Sequence, residues 1–367
     1  MRDSFLVILI ISILIASLGV LTIYSSTHQK EGEFWKTIYQ RQILWVILGL
    51  VLFLGFSHLS YRRLWDWTYF LYGVSIFLLC LVIALGVARL GAQRWLKIVW
   101  FQIQPSEFAK LIMVVFLARY FSRKSVDDIS LLSTKFGIFR GLILPFLFVA
   151  IPAVLIVEQP HLGSAVLLFL IFISFLYLTG VKLRYIVILF LIAVLVLPVV
   201  WGALHGYQKE RLLVFMNPNI DPLGAGYTII HSKIAIGSGG LFGKGWLSGT
   251  QSQLRFLPEA HTDFIFAAFA EEWGFLGSCI LLVLYSLLIR QAIVIAQRTR
   301  DHFGKLLAFG IGLMLTLQIF VNMAMNLGMV PVVGLPLPLM SYGGSSMLIT
   351  FISLGILVSI DRRRSVF

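Results

Sequence analysis

Apolar runs of about 17 to 25 residues recur from one end of the chain to the other, and each is long enough to cross about 30 Å of hydrocarbon at about 1.5 Å per residue. About ten such windows are read as helices, near residues 5–25, 41–57, 68–88, 106–121, 138–157, 163–180, 184–202, 262–289, 306–328 and 341–360. They are apolar on every side rather than alternating with period two. Backbone groups in lipid must also be satisfied within their own segment, so barrel strands are excluded. The pattern predicts an all-α polytopic membrane protein, residues 1–367 forming one transmembrane domain with no soluble domain between the spans. The first window is too long for a signal-peptide core and has no small-residue cleavage site, so it is expected to be retained as a helix.

Composition agrees with this reading. The 367 residues are 59% hydrophobic and 12% charged, with a mean hydropathy of +0.95, against about 25% charged residues in a soluble domain. If the N-terminus is cytoplasmic, the inner segments hold 17 of the 29 basic residues and 6 of the 16 acids. That is the positive-inside asymmetry, and it predicts that both termini are cytoplasmic. The net charge of +13 then reports topology and attraction to anionic membrane lipids, and nucleic acid is not an expected partner. Cys80 and Cys279 both lie in apolar windows, where a thiol behaves as a small hydrophobe, and there is no zinc spacing or disulfide framework.

With that orientation the outer loops are 26–40, 89–105, 158–162, about 203–261 and 329–340, and most of the unusual polar chemistry falls in them or at adjacent helix ends. The longest, 203–261 between spans seven and eight, is rich in glycine but also in Trp, Phe, Leu and Ile, so it is expected to pack back onto the bundle. Asp263 follows Pro258-Glu-Ala-His-Thr262 and opens the eighth span. It reads either as a helix cap, with Thr262 or Asp263 bonding the backbone, or as a functional acid. Glu271 and Glu272 lie two to three turns deeper among aromatic residues, where an ion costs about 2.5 kcal/mol or more unless paired or wetted. A partner base or a polar cavity is therefore required.

Gln104-Pro-Ser-Glu-Phe-Ala-Lys110 opens the fourth span, with Glu107 and Lys110 three residues apart on one helix face. The pair reads as an intrahelical salt bridge or as one wall of a charged cavity, and Arg94 and Lys97 just upstream add positive charge that suits a pyrophosphate. Asn322-Met-Ala-Met-Asn326 precedes a segment with three prolines in eight residues, Pro331 to Pro338, and then Ser341-Tyr-Gly-Gly-Ser-Ser346. Ser341, Gly343 and Gly344 are candidates to hold phosphate oxygens or sugar hydroxyls, or small residues for helix packing. His161, in the turn Glu158 to Gly163, reads as a surface turn residue.

These motifs resemble, in order and over essentially the whole length, the SEDS (shape, elongation, division and sporulation) family, most closely its rod-shape branch. The resemblance is carried by Gln104–Lys110, Asn217–Tyr227, Ser232–Leu241, Gly243–Trp246, His261–Phe266 and Pro336–Ser345. It implies a ten-helix peptidoglycan glycosyltransferase of the bacterial cytoplasmic (inner) membrane, with its active site on the outer side. Such an enzyme polymerises lipid II with release of undecaprenyl pyrophosphate and works beside a class B penicillin-binding protein that crosslinks the product. Carried over residue by residue, Asp263 matches the family's essential aspartate, Glu107 and Lys110 its polar pair, and Lys233 the lysine of its Ser-Lys motif. His161 stands where the family has aspartate, and His231 where it has glutamine.

The implied step is attack of the acceptor 4-hydroxyl on the donor C1 with inversion. It calls for a base near the hydroxyl and positive charge near the leaving group. Asp263 is read as the base or as a ligand to a divalent cation, magnesium or manganese, with Lys110 and Arg94 or Lys97 on the pyrophosphate and Glu107 orienting Lys110. A lipid II flippase and a noncatalytic scaffold of the elongation machinery are the alternatives. Glu271 and Glu272 are the residues that favour transport.

Overall fold

Each apolar window is helical over most of its described length in the computed structural model, which describes residues 2–29, 32–89, 92–98, 101–122, 139–159, 161–203, 206–217, 220–221 and 224–363. In chain order the elements are α1 (Arg2–Thr27), α2 (Glu33–His58), α3 (Arg62–Leu85), β1 (Val87–Arg89), β2 (Ala92–Ile98), β3 (Phe101–Ile103), α4 (Pro105–Ser122), a π-helical turn (Phe139–Ile143) leading into α5 (Leu144–Glu158), α6 (Leu162–Leu178), α7 (Leu183–Ala203), α8 (Gly206–Met216), α9 (Ala225–Ser238), α10 (Thr250–Gln253), α11 (Ile265–Arg298), α12 (His302–Asn326) and α13 (Gly344–Arg363). Among the described residues, seven helices are long and apolar enough to cross a membrane, and α6 and the start of α7 are shorter apolar helices. The fourth window, α4, carries three charged residues, Glu107, Lys110 and Arg119, all buried. Part of the charge asymmetry (Arg123, Lys124, Asp127, Asp128, Lys135, Arg364) lies outside the described residues, as do Pro160, His205, and Pro218, Asn219, Pro222 and Leu223 of the Asn217–Tyr227 motif.

Two helices, α2 and α11, outrun their apolar windows furthest. α2 begins at Glu33, because the polar lead-in to residue 40 contains neither proline nor glycine to stop it, and α11 continues to Arg298 for the same reason. The 89–105 loop holds a small antiparallel sheet in the order β1-β2-β3. Val87 pairs with Trp95 and Ala88 with Gln93, so Arg94 is the extra residue of a β-bulge, a device that re-aims a side chain.

The chain forms two compact units, Met1–Leu59 with Glu210–Val294 and Leu315–Arg362, and Ser60–Lys209 with Ile295–Met314 and Arg363–Phe367. In the second, α4 is buried along most of its length, and the Arg119 guanidinium lies over the rings of Trp65 (5.0 Å) and Tyr69 (4.3 Å) while donating to the Trp65 carbonyl. In the first, α13 is almost wholly buried and approaches α2 so closely that a Cβ on Gly355 would sit 2.7 Å from the Phe53 carbonyl oxygen.

The 203–261 region does pack back, as its composition predicts. Ala235 of α9 shares a fully buried cluster with Leu257, Ala260, Phe264, Ala267 and Ala268, and the Ser232 hydroxyl donates to the Asn326 carbonyl at the end of α12 (2.7 Å). α11 is broken at Gly274, whose backbone (φ 66, ψ −163) is open essentially only to glycine. Helix amides and carbonyls freed by the break need partners when water is absent. Residues 240–245 supply them: the amides of Lys244 and Gly245 donate to the carbonyls of Glu271 and Glu272, and those of Phe275 and Leu276 to the carbonyls of Gly240 and Leu241, at 2.9 to 3.1 Å.

Candidate active site

Asp263 sits in the turn just before α11, half-exposed, and three consecutive carbonyls fix that turn. The His261 carbonyl accepts from the amide of Tyr342 (2.8 Å), the Thr262 carbonyl from the Ser341 hydroxyl (2.7 Å), and the Asp263 carbonyl from the side-chain amides of Asn322 and Asn326 (3.0 Å each). Asn326 also accepts from the Ala267 amide (3.1 Å), a first-turn donor of α11 that it shares with the Phe264 carbonyl (3.1 Å). Thr262, one of the two candidate caps, instead donates to the Glu259 carboxylate (2.9 Å). Asn322 and Asn326, four apart on α12, therefore share the face that carries this turn. Their spacing on an apolar helix was the signal available for this role. Gln42 of α2 had no such signal. It is fully buried, with its amide donating to the Ser341 carbonyl (3.0 Å) and its oxygen 3.5 Å from the Gly343 amide.

The remaining candidates in this unit divide. Ser341 is buried, and its hydroxyl is engaged on both sides, donating to Thr262 and accepting from the Leu337 amide (2.8 Å). Gly344 lies under the Trp45 indole, where a Cβ would come to 2.5 Å, so small-residue packing accounts for it. Lys233 is exposed and lies against Gly328, next to Asn326. His231 is half-buried, hydrogen-bonded to Gln251 (2.7 Å), with its ring between those of Tyr227 (4.1 Å) and Phe256 (5.6 Å).

Deeper in α11, Glu271 has its base. It is fully buried and accepts from Lys244 Nζ (2.7 Å), the Thr250 hydroxyl (3.0 Å) and the Gln251 amide (3.0 Å). Glu272, also buried, accepts from the Ser25 hydroxyl of α1.

In the second unit, Glu107 and Lys110 form a direct ion pair at 2.6 Å, both essentially without solvent exposure. His161 is not a surface turn residue. It is 1% exposed and hydrogen-bonds Ser106 beside Glu107 (3.3 Å) through Nδ1, while Gln159 donates to the Leu79 carbonyl (2.9 Å), so the 158–163 turn is fastened to α3 and α4. Arg94 is half-buried at its bulge and Lys97 exposed on β2.

An aspartate clamped at the head of a broken apolar helix in the first unit, and a buried Glu-Lys pair on a helix of the second, mark a polytopic membrane protein that keeps ionised groups among its spans. Residues 5–366 match the family model described as the FtsW/RodA/SpoVE cell cycle protein. The chain belongs to that family. It is 42% identical to the peptidoglycan glycosyltransferase MrdB of Escherichia coli K12 over 99% of this chain and 94% of the relative. It is 33% identical to the peptidoglycan glycosyltransferase RodA of Treponema pallidum over 97% of each. Among solved structures it superposes on a chain of a peptidoglycan synthase complex solved for structural coordination of polymerization and crosslinking (TM-score 0.81, 32% identity, 98% and 97% covered). It also superposes on the Thermus thermophilus rod-shape-determining protein RodA (TM-score 0.70, 29% identity, 98% and 96% covered).

Proposed function

We propose that this protein is a peptidoglycan glycosyltransferase that polymerises lipid II, with Asp263 as its general base. The observation that carries the assignment of Asp263 is the clamp: three successive carbonyls around one half-exposed carboxylate are held by α12 and by the 341–342 turn. Preorganisation of that kind is what a base needs, since reacting groups must be held near attack distance. In the reaction the acceptor's 4-hydroxyl oxygen forms the new bond to C1 of the donor sugar as the bond from C1 to the lipid pyrophosphate breaks. The hydroxyl proton passes to Asp263, and the pyrophosphate leaves with the displaced electron pair. We assign Lys110, oriented by Glu107, with Arg94 or Lys97, to the charge on that leaving group, and Lys233 to the anionic substrate.

Among the described residues no group of three or more His, Cys, Asp or Glu side chains could hold a metal ion. Magnesium often takes one or two carboxylates and substrate phosphates instead of an all-protein cage, so Asp263 fits that lesser role. No step above depends on it. We place the enzyme in the bacterial inner membrane with Asp263 on the outer side, partnered by a class B penicillin-binding protein. The transport reading leaned on Glu271 and Glu272, and the structure gives both of them protein partners.

The test is purified protein with labelled lipid II, products resolved on a gel. Asp263→Asn is expected to cut polymerisation by about 10²- to 10⁴-fold, the contribution typical of a general base, with unchanged thermal unfolding. Polymer formation at the parent rate by the folded variant removes Asp263 from the role.

A further inference from the structure

Beside the Asp263 turn, aromatic rings from five separate segments of the first unit make a line of contacts. Trp246 lies 6.1 Å from Tyr24, and Tyr24 lies 5.1 Å, edge-on, from Tyr39. Trp35 lies 5.2 Å, edge-on, from His261, and His261 lies 5.9 Å from Tyr342. Trp35 and Tyr39 are four residues apart on α2 and hence neighbours on one helix face, which joins the two groups into one line. His261 is its buried link, while Tyr24, Tyr39, Trp35 and Tyr342 are half-exposed and Trp246 is 46% exposed. The line passes His261, two residues from Asp263, and ends at Tyr342.

Neither of the usual reasons for clustered rings accounts for this. A hydrophobic core would bury them. An interfacial belt sets rings at the headgroup level with their polar ends wet, whereas here the Trp246 indole N–H reaches the Leu21 carbonyl (3.5 Å) and the Tyr39 hydroxyl accepts from Gln40 (3.2 Å). Contacting rings with part of their surface open, two of them with a polar end bonded by the protein, make a largely apolar track. The ligand chemistry that fits such a track is a pyranose, whose axial C–H face packs on the negative face of a π system. A linear chain of sugars would lie along successive rings.

We propose that this line is a carbohydrate-binding track that holds the growing N-acetylhexosamine strand as it leaves the Asp263 turn. The identity of the strand rests on the polymerase reading above, whereas binding of a sugar chain does not. Two measurements on the full-length protein in detergent, where a headgroup anchor has nothing to grip, test it. In the first, short N-acetylglucosamine oligosaccharides are titrated calorimetrically into the parent and into a Trp246→Leu, Tyr39→Leu variant. The variant is expected to bind about tenfold more weakly, the factor that two lost ring contacts give. In the second, both proteins polymerise labelled lipid II. The variant is expected to make shorter chains at the parent's initial rate, and Trp246→Phe, which keeps a ring, to restore most of the length. Should the double variant unfold early, Trp246→Leu against Trp246→Phe carries the same comparison. Oligosaccharide binding by a parent that makes no polymer supports the track and overturns the polymerase reading. Polymer of equal length from parent and variant, with equal or no oligosaccharide binding, overturns the track and leaves the polymerase reading standing.

Discussion

Removing the Glu271 carboxylate measures how firmly the 244–257 strap is held. Its two oxygens receive Lys244 Nζ, the Thr250 hydroxyl and the Gln251 amide, and the Gln251 carbonyl in turn accepts from the amide of buried Leu257 (2.9 Å). Glu271→Ala takes the acceptor from all three donors. A buried donor left unmade costs about 1–3 kcal/mol, and truncating one member of a buried ion pair costs about 3–5 kcal/mol. Lys244 keeps Thr250 at 2.8 Å and is 26% exposed, so water relieves part of its loss and a value of about 3 kcal/mol is expected. Glu271→Gln keeps an oxygen for the same donors and loses only the charge assistance, roughly half of each bond, for about 1 kcal/mol. Lys244→Met should recover part of the loss when combined with Glu271→Leu, because the double change leaves no uncompensated ion. The assay is denaturant or thermal unfolding in detergent, read as a double-mutant cycle. A Glu271→Ala protein as stable as the parent, or strictly additive effects of Lys244 and Glu271, would refute the reasoning.

Three further outcomes are expected. Gly274→Ala forces a Cβ to 2.2 Å from the Gly243 amide nitrogen at a φ of +66, so strain of about 1–3 kcal/mol and overpacking of similar size should show as a large fall in unfolding temperature. Asn326→Leu removes one of two donors to the Asp263 carbonyl and one of two acceptors for the Ala267 amide, while Asn322 still holds Asp263 and the Phe264 carbonyl still holds Ala267. It should cost about 2 kcal/mol and lower kcat for polymerisation more than it raises KM. Lys110→Met strands the buried Glu107 carboxylate and should cost about 3–5 kcal/mol; adding Glu107→Gln should return most of the stability, measured by unfolding, without returning polymerisation.

The helices were legible because hydropathy in a bilayer is a single-variable signal, and every apolar window became a helix. What hydropathy cannot encode is where freed backbone groups find partners. The break at Gly274 and its repair by residues 240–245 depend on contacts between segments about thirty residues apart, although Gly243-Lys-Gly245 and Glu271-Glu272 were each conspicuous alone. Of the candidate site, Asp263, Glu107 and Lys110 stood out as charges in an apolar context. Gln42 did not, because a lone amide in a long span looks like any tolerated polar residue until the 341–343 turn is seen against it. The sheet at 87–103 was hidden too, its strands being three to seven residues long.

The three carbonyl sutures around Asp263 carry a consequence for biosynthesis. Their donors come from residues 322, 326, 341 and 342, which emerge from the ribosome about sixty to eighty residues after Asp263. A half-translated chain already threaded into the bilayer therefore has its aspartate but lacks the parts that hold it in place. The turn is fastened only once those later residues are in place, so products terminated before them are expected to be inert rather than unregulated polymerases.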